Sequence, residues 1–420
     1  MIRTFTKLLP AFLLAFTLIV VGCKVSNQIT IVNFSALYQE HEGPDITGIK
    51  VFHEADSVSR IFVRYLPSSL RYAIKPGGAY HTAEYSFSYK LFQNYEANVV
   101  LDSGTFFLYD SLYYQNKLSL VYNFPFKAVF SQNYVMELRF TDLNTESALI
   151  YPIHITKNDQ LNAQNFLVVD EMNEVVFEDW LGWKTKFRII SAKKEIDNLF
   201  VQYFSGDFPA ARPPFSLEHP PVYNLKPKES FNVALNNGTT ELLQYGKEGI
   251  FYFRTDTLLR SGLAVFRFHD DYPMITDPSL LPLPLRYLTS TEEFRKLTGS
   301  DDPKTAVDKF WIETAGNEKR AIELIASYYD RVETANLHFA SYKEGWKTDR
   351  GMTYIVFGPP KQVFRRTNIE TWVYGEAGKR VSLRFDFIEN ENPYTDNDYE
   401  LVRLPEFKSP YYIAVDFWRR

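Results

Sequence analysis

The chain has 420 residues, a formal net charge of −5, 23% charged residues, 28 tyrosines, 35 phenylalanines and a single cysteine. Its lysines and arginines are spread among the acids, which argues against a nucleic-acid partner. One cysteine excludes intrachain disulfides, iron-sulfur clusters and cysteine-based zinc sites.

In "MIRTFTKLLPAFLLAFTLIVVGC", Arg3 and Lys7 precede an apolar run from Leu8 to Val21 that closes on Gly22-Cys23. This order predicts a lipoprotein signal peptide over residues 1–22, with Cys23 as the acylated first residue of the mature chain. The run is shorter than the ~18 to 20 residues of a spanning helix and contains Pro10, so a transmembrane segment is not expected. Two or three acyl chains on one residue hold a protein to a membrane far more firmly than one.

Residues 23–156 are written in period two. In "EYSFSYKLF", Tyr85, Phe87, Tyr89 and Leu91 share one face, and in "YVMELRF", Tyr134, Met136, Leu138 and Phe140 do the same. With strands also expected in "RIFVRYL", "NVVLDSGTFFL", "LSLVYNF" and "ALIYPIHI", the unit reads as a β-sandwich. Residues 157–271 read as a second sandwich-like unit, with a hairpin turning near Asn173 and strands in "RIISAKKEIDNLFVQYF", "GIFYFRTD" and "AVFRFHD". Pro209, Pro213, Pro214, Pro220 and Pro221 interrupt it and predict a long surface loop inside the sandwich.

The proline-rich segment 272–285 reads as a linker. Beyond it, 286–420 changes period and reads as α+β. Ser290 and Glu293 spell a capping box for a short helix ending at Gly299. A second helix is expected from Asp302-Pro303, with Val307, Phe310 and Trp311 on one face. Ala321, Leu324, Ile325, Tyr328, Val332, Ala335 and Phe339 then mark a long amphipathic helix. "IETWVYG" and "VSLRFDFIE" read as strands.

"FW" at Phe310, "YYDRVETANLHF", "GWKTDRGMTYIVFGPP" from Gly345 and "TWVYG" together resemble the GWxTD domain. The resemblance covers about the last third of the chain. The β-rich part before it resembles the usual companions of that domain in envelope proteins of Bacteroidetes-type bacteria. The resemblance implies a location and a domain of no established activity. It also bears on orientation, since "CKVSNQ" lacks the acidic run expected after the cysteine of surface-exported lipoproteins. A protein of the outer membrane, lipid-anchored and facing the periplasm, is therefore expected.

Gly345, Trp346, Thr348, Asp349, Arg350 and Gly351, with the stop at Gly358, Pro359 and Pro360, form the candidate structural or interaction motif. The two early glycines permit conformations closed to other residues, and the indole N–H of Trp346 needs an acceptor. Thr348 and Asp349 are expected to fix a turn, with Asp349 paired to Arg350, Arg365 or backbone. Met352 to Phe357 is expected as a strand. A chemical reading makes Asp349, with Glu344 or His338, an acid/base or metal site. The near copy "GWKTK" at Gly182 lacks matching flanks and is no repeat.

Other chemistry is sparse. The histidines lack HExxH spacing, and no nucleophile elbow, phosphate loop or dinucleotide fingerprint is spelled. No catalytic residue, metal ligand set or cofactor is assigned; His269, Asp270 and Asp271 offer cation-ligand chemistry, but the segment reads as the end of a strand and the start of the linker. The expected function is a non-enzymatic docking or scaffold subunit of an outer-membrane assembly, with the membrane and outer-membrane or periplasmic proteins as partners. The alternative is a carbohydrate- or peptidoglycan-binding protein or hydrolase. A flat exposed platform of aromatics such as Tyr113, Tyr114 and Phe208 beside acids would favour that alternative.

Overall fold

Period-two alternation becomes antiparallel sheet throughout the first unit. The computed structural model describes residues 29–39, 41–75, 77, 80–111, 118–218, 225–258, 260–376 and 382–420. Cys23, Tyr113 and Tyr114 lie outside the described residues. The strands of the first unit are β1 (Ile46–Ala55), β2 (Val58–Tyr65), β3 (Ala73–Ile74), β4 (His81–Phe92), β5 (Asp102–Ser111), β6 (Leu120–Lys127), β7 (Asn133–Asp142) and β8 (Ala148–Thr156). They build a sheet of order β1-β2-β6 and another of order β3-β4-β7-β8, with β5 added to β4. Tyr85, Phe87, Tyr89 and Leu91 meet Ile61, Val63, Phe124 and Phe126 in one core, so the two sheets pack face to face. The sequence does not announce β1. Its burial is irregular, and its register with β2 shifts twice.

The second unit contains β9 (Phe166–Asp170), β10 (Phe187–Ser191), β11 (Asn198–Phe204), β12 (Glu229–Asn236), β13 (Thr239–Thr240), β14 (Gly249–Arg254) and β15 (Leu263–Arg267). They form one sheet of order β15-β14-β11-β12-β13-β10-β9. The sheet curls so that Phe166, Phe187 and Ile189 share a core with Val201, Phe251, Phe253 and Val265. Asn173 adopts a φ of 62° in the turn after β9, where the Asp170 carbonyl accepts its N–H. Gly182 to Thr185 is a plain turn closed by Thr185 N–H to Gly182 O at 3.0 Å, with Trp183 half-exposed. The later Gly-Trp segment closes with the same bond, Thr348 N–H to Gly345 O at 3.1 Å, but it is buried and leads into a helix, whereas this one is exposed and leads into β10.

The third unit holds the helices. α1 (Thr291–Thr298) carries the Ser290–Glu293 capping box, α2 (Pro303–Ala315) starts with Asp302 as cap and proline at its first position, and α3 (Glu318–Phe339) is capped by Asn317. They are followed by α4 (Asp349–Phe357), by β16 (Gln362–Arg366), β17 (Ile369–Tyr374), β18 (Leu383–Glu389) and β19 (Tyr399–Leu401), and by α5 (Lys408–Trp418). The four strands pair antiparallel in sequence order. Val363, Trp372, Phe385 and Phe387 share a core with Tyr328, Val332, Phe339, Met352 and Ile355.

The expected strand at Met352–Phe357 is therefore a helix. All residues from Asp349 to Val356 are buried. A short apolar segment buried on every side carries no polar stripe, so periodicity cannot separate helix from strand. The deciding signal is the cap before it.

Three segments tie the units together. Residues 29–39 lie along the free edge of β16, with Phe34 N–H bonded to Val363 O at 2.8 Å and Val363 N–H to Asn33 Oδ1 at 2.9 Å. Ile29, Phe34 and Tyr38 enter the third unit's core, and so do Phe92, Tyr95 and Val135 of the first. The proline-rich loop does not stay inside the second unit. It docks on the third unit instead: Ala211 N–H donates to Lys347 O at 2.9 Å, Pro214 O accepts from Leu404 N–H at 3.2 Å, and Phe215 meets Tyr411 edge-on. The 272–285 segment is likewise packed, since Tyr328, Tyr329 and Asn336 of α3 donate to the carbonyls of Pro284, Leu281 and Pro273.

Candidate functional site

The Gly-Trp-Lys-Thr-Asp corner is a 3-10 turn at Gly345–Lys347 leading directly into α4. Thr348 is the helix N-cap. Its Oγ1 accepts from Gly351 N–H at 3.0 Å and donates to Gly345 O at 2.8 Å. The two glycines are required by close approach. A Cβ on Gly345 would stand 2.0 Å from Ala335 O of α3, and one on Gly351 would stand 1.9 Å from Gly345 O. Helix, turn and helix are thus in backbone contact, which any side chain there would prevent.

Trp346 is 3% exposed. Its backbone N–H donates to Asn336 Oδ1 at 3.0 Å, its carbonyl accepts from Tyr287 Oη at 2.8 Å, and its indole N–H donates to Glu344 Oε2 at 3.0 Å. The acceptor that the indole requires is therefore Glu344, which also holds Lys347 at 2.8 Å and faces His269 at 3.6 Å.

Asp349 reaches across to the end of the sheet. Oδ2 accepts from Leu401 N–H at 2.8 Å and from Arg403 Nη1 at 3.0 Å, and Oδ1 accepts from Arg403 Nη2 at 2.5 Å. The expected pairing with Arg350 or Arg365 is replaced by a fork to Arg403, and the expected backbone partner is Leu401. Arg403 meets the carboxylate with two parallel N–H donors, the strong bidentate form of this ion pair. One acid at the first position of α4 thereby fixes both β19 and the segment after it.

Arg350 points the other way and is 2% exposed. It lies 4.0 Å over the Tyr399 ring, donates to Asn397 O at 3.0 Å and stands 3.5 Å from Glu370 Oε1. Glu370 is the centre of a second cluster. It accepts from Arg365 Nε at 2.7 Å, Trp372 Nε1 at 2.8 Å and Tyr38 Oη at 3.1 Å, while Arg365 Nη2 donates to Tyr38 Oη at 2.7 Å. Burial pushes the Glu370 carboxyl upward, but the Arg365 and Arg350 guanidiniums outweigh it and hold the group below the usual carboxylate range. Beside this cluster, Thr367 at the β16–β17 turn bonds Glu96 of the first unit at 2.7 Å.

The sequence places the whole motif together, yet the structure divides it. Gly345, Trp346, Thr348, Asp349, Arg350 and Gly351 converge at the start of α4. Gly358, Pro359 and Pro360 close its other end, about 13 Å away at the helical rise. There Gly358 adopts a φ of 82° and its N–H bonds Tyr354 O at 2.8 Å. Pro360 O accepts from Gln39 of the N-terminal segment. Asp349, Glu344 and His338 are not assembled: each has separate partners, His338 lying edge-on to Tyr38. Among the described residues, no group of three His, Cys, Asp or Glu side chains is placed to hold a metal ion.

Sequence reasoning missed Tyr38, Asn336, Glu370 and Arg403. Glu370 alone left a trace, because in "IETWVY" it falls on the same face as Trp372 and so on the buried side of a strand. No curated protein matches the chain. The model of the family described as the GWxTD domain matches residues 249–420, starting in β14 within the second unit's sheet and running through the corner to the last residue, so this part of the chain is a GWxTD domain.

Proposed function

We propose that the protein is a lipid-anchored envelope protein, facing the periplasm from the outer membrane, that serves as a non-enzymatic docking or scaffold subunit of a protein assembly. The observation that carries this reading is β5. This ten-residue strand hydrogen-bonds β4 on one side and no other strand among the described residues. Its outward side chains include Phe107 at 73% and Tyr109 at 80% exposure. Edge strands are ordinarily blunted by lysine, proline or bulges, and Ser103, Thr105, Phe107 and Tyr109 supply none of these. An extended segment of another envelope protein would add to such an edge through its backbone, with the two aromatics as anchors. The test is crosslinking in membranes followed by affinity purification. Phe107→Lys with Tyr109→Lys should leave the melt unchanged and remove specific copurifying proteins. An unchanged set of partners refutes the reading.

The carbohydrate or peptidoglycan reading has its own observation. The same face of the sheet continues into a groove of about 280 Å³ lined by Ser88, Lys90, Ser103, Thr105, Glu137 and Arg139, so exposed aromatics adjoin hydrogen-bonding side chains. Of the expected aromatics, Phe208 is buried and takes no part in this face, while Tyr113 and Tyr114 lie outside the described residues. Retention of the full chain on purified peptidoglycan, lost in Phe107→Ala, would favour this reading over protein docking.

A further inference from the structure

Resting on the lipid-anchor reading, we infer that the membrane lies against the β16 edge of the GWxTD domain and that the second β unit points away from it. Cys23 belongs in sequence to the first β unit, which would ordinarily be placed next to the bilayer. The fold arranges otherwise. Five residues lie between Cys23 and Ile29, and the six steps from one to the other reach about 20 Å when fully extended. Ile29 is fully buried in the core of the third unit. From there Phe34 and Asn33 are bonded to Val363, Tyr38 to Glu370 and Arg365, and Gln39 to Pro360. The chain leaving an acylated Cys23 is therefore fastened to β16 before it enters the first unit.

The opposite edge of that sheet is occupied. Strand order places β19 three strands from β16, about 14 Å at ordinary strand spacing. The second unit's proline-rich loop docks just beyond β19, through Pro214 O to Leu404 N–H and Arg212 O to Arg403. Near the fastened segment, Ile31 is 62% exposed, and Lys361 and Arg366 are exposed beside it on the β16 segment. An apolar side chain with two cations suits the headgroup layer of an anionic bilayer.

The test uses the full acylated chain reconstituted in vesicles that contain a headgroup spin-labelled phospholipid. A fluorophore is attached at Lys361→Cys or, for comparison, at Glu195→Cys in the exposed turn between β10 and β11. Quenching several-fold stronger at position 361 is expected. Asn368→Cys, at the β16–β17 turn, replaces Lys361→Cys if that variant melts below the parent. Equal or stronger quenching at position 195 overturns the orientation while leaving the anchor intact. A parent chain that carries no acyl group by mass spectrometry and stays in the aqueous phase overturns the anchor, and the orientation with it.

Discussion

Trp346, Asp349 and Glu370 each do one structural job, and each is testable by itself. Trp346 fills a closed site between α3 and the segment before α1, so Trp346→Ala should cost about 3 to 5 kcal/mol in a urea melt, as aromatic truncations in cores do. Asp349 and Arg403 are each about 10% exposed at the side chain. Asp349→Asn keeps the shape but leaves a buried guanidinium without its charge partner, so a loss of about 3 kcal/mol is expected. A variant that melts like the parent while losing partner association would instead make Asp349 a working site. Glu370→Gln should be at least as damaging, because two guanidiniums then share the site without a counter-charge. Its melt is informative beside Glu370→Gln/Arg365→Met. Recovery of part of the loss in the double variant is the expected sign that uncompensated charge is the cause.

At the level of elements, α4 is a helix because Thr348 caps it and because all its faces find apolar neighbours. Thr348→Ala should cost about 1 to 2 kcal/mol and Thr348→Ser much less, since only the hydroxyl makes the cap. In the first unit, β1 and β2 are joined by His53, whose Nδ1 meets Ser59 Oγ at 2.9 Å and whose Nε2 meets Thr156 O at 3.0 Å. Lys157 Nζ donates to the same Ser59 oxygen at 2.9 Å. Burial, with Lys157 adding to it, pushes the His53 imidazole down to about 4. The ring is therefore neutral when folded, while an unfolded histidine titrates near 6.5. Between those values the unfolded chain binds more protons, so stability is complete above pH 6.5 and falls as pH drops toward 4, by roughly 2 to 3 kcal/mol. Burial pushes the His154 and His338 imidazoles down to about 4 as well, so calorimetric melts at pH 7, 5.5 and 4.5 should show a slope to which all three contribute, and His53→Gln should lessen it by one share without abolishing it. The element-level misreading at Met352 has a plain cause. Period distinguishes helix from strand only where one face is wet, and α4 has none.

On the scale of the whole molecule, the GWxTD domain is completed by residues from outside its own matched span. Ile29, Phe34 and Tyr38 supply part of its core, and Tyr38 supplies a ligand to its buried carboxylate. A fragment of residues 249–420 should therefore melt well below the full chain and expose apolar surface to dye, and a peptide of residues 29–39 should raise its melting temperature. A fragment that melts like the parent without the peptide would show the N-terminal segment to be incidental. The sequence by itself determined the β-rich front, the capping box at Ser290, the helix start at Asp302-Pro303, the stripe of α3 and the conspicuous glycines of the corner. All of these are set by neighbours within a few residues, through alternation, capping or steric demand. Only the tertiary structure decided that Asp349 holds Arg403, that Glu370 gathers Tyr38, Arg350 and Arg365, and that the proline-rich loop crosses to another unit. These are contacts between groups up to 332 residues apart. A fork or a buried carboxylate constrains only the chemical type of its partner, and many arginines and tyrosines along the chain would satisfy it equally until folding selects one.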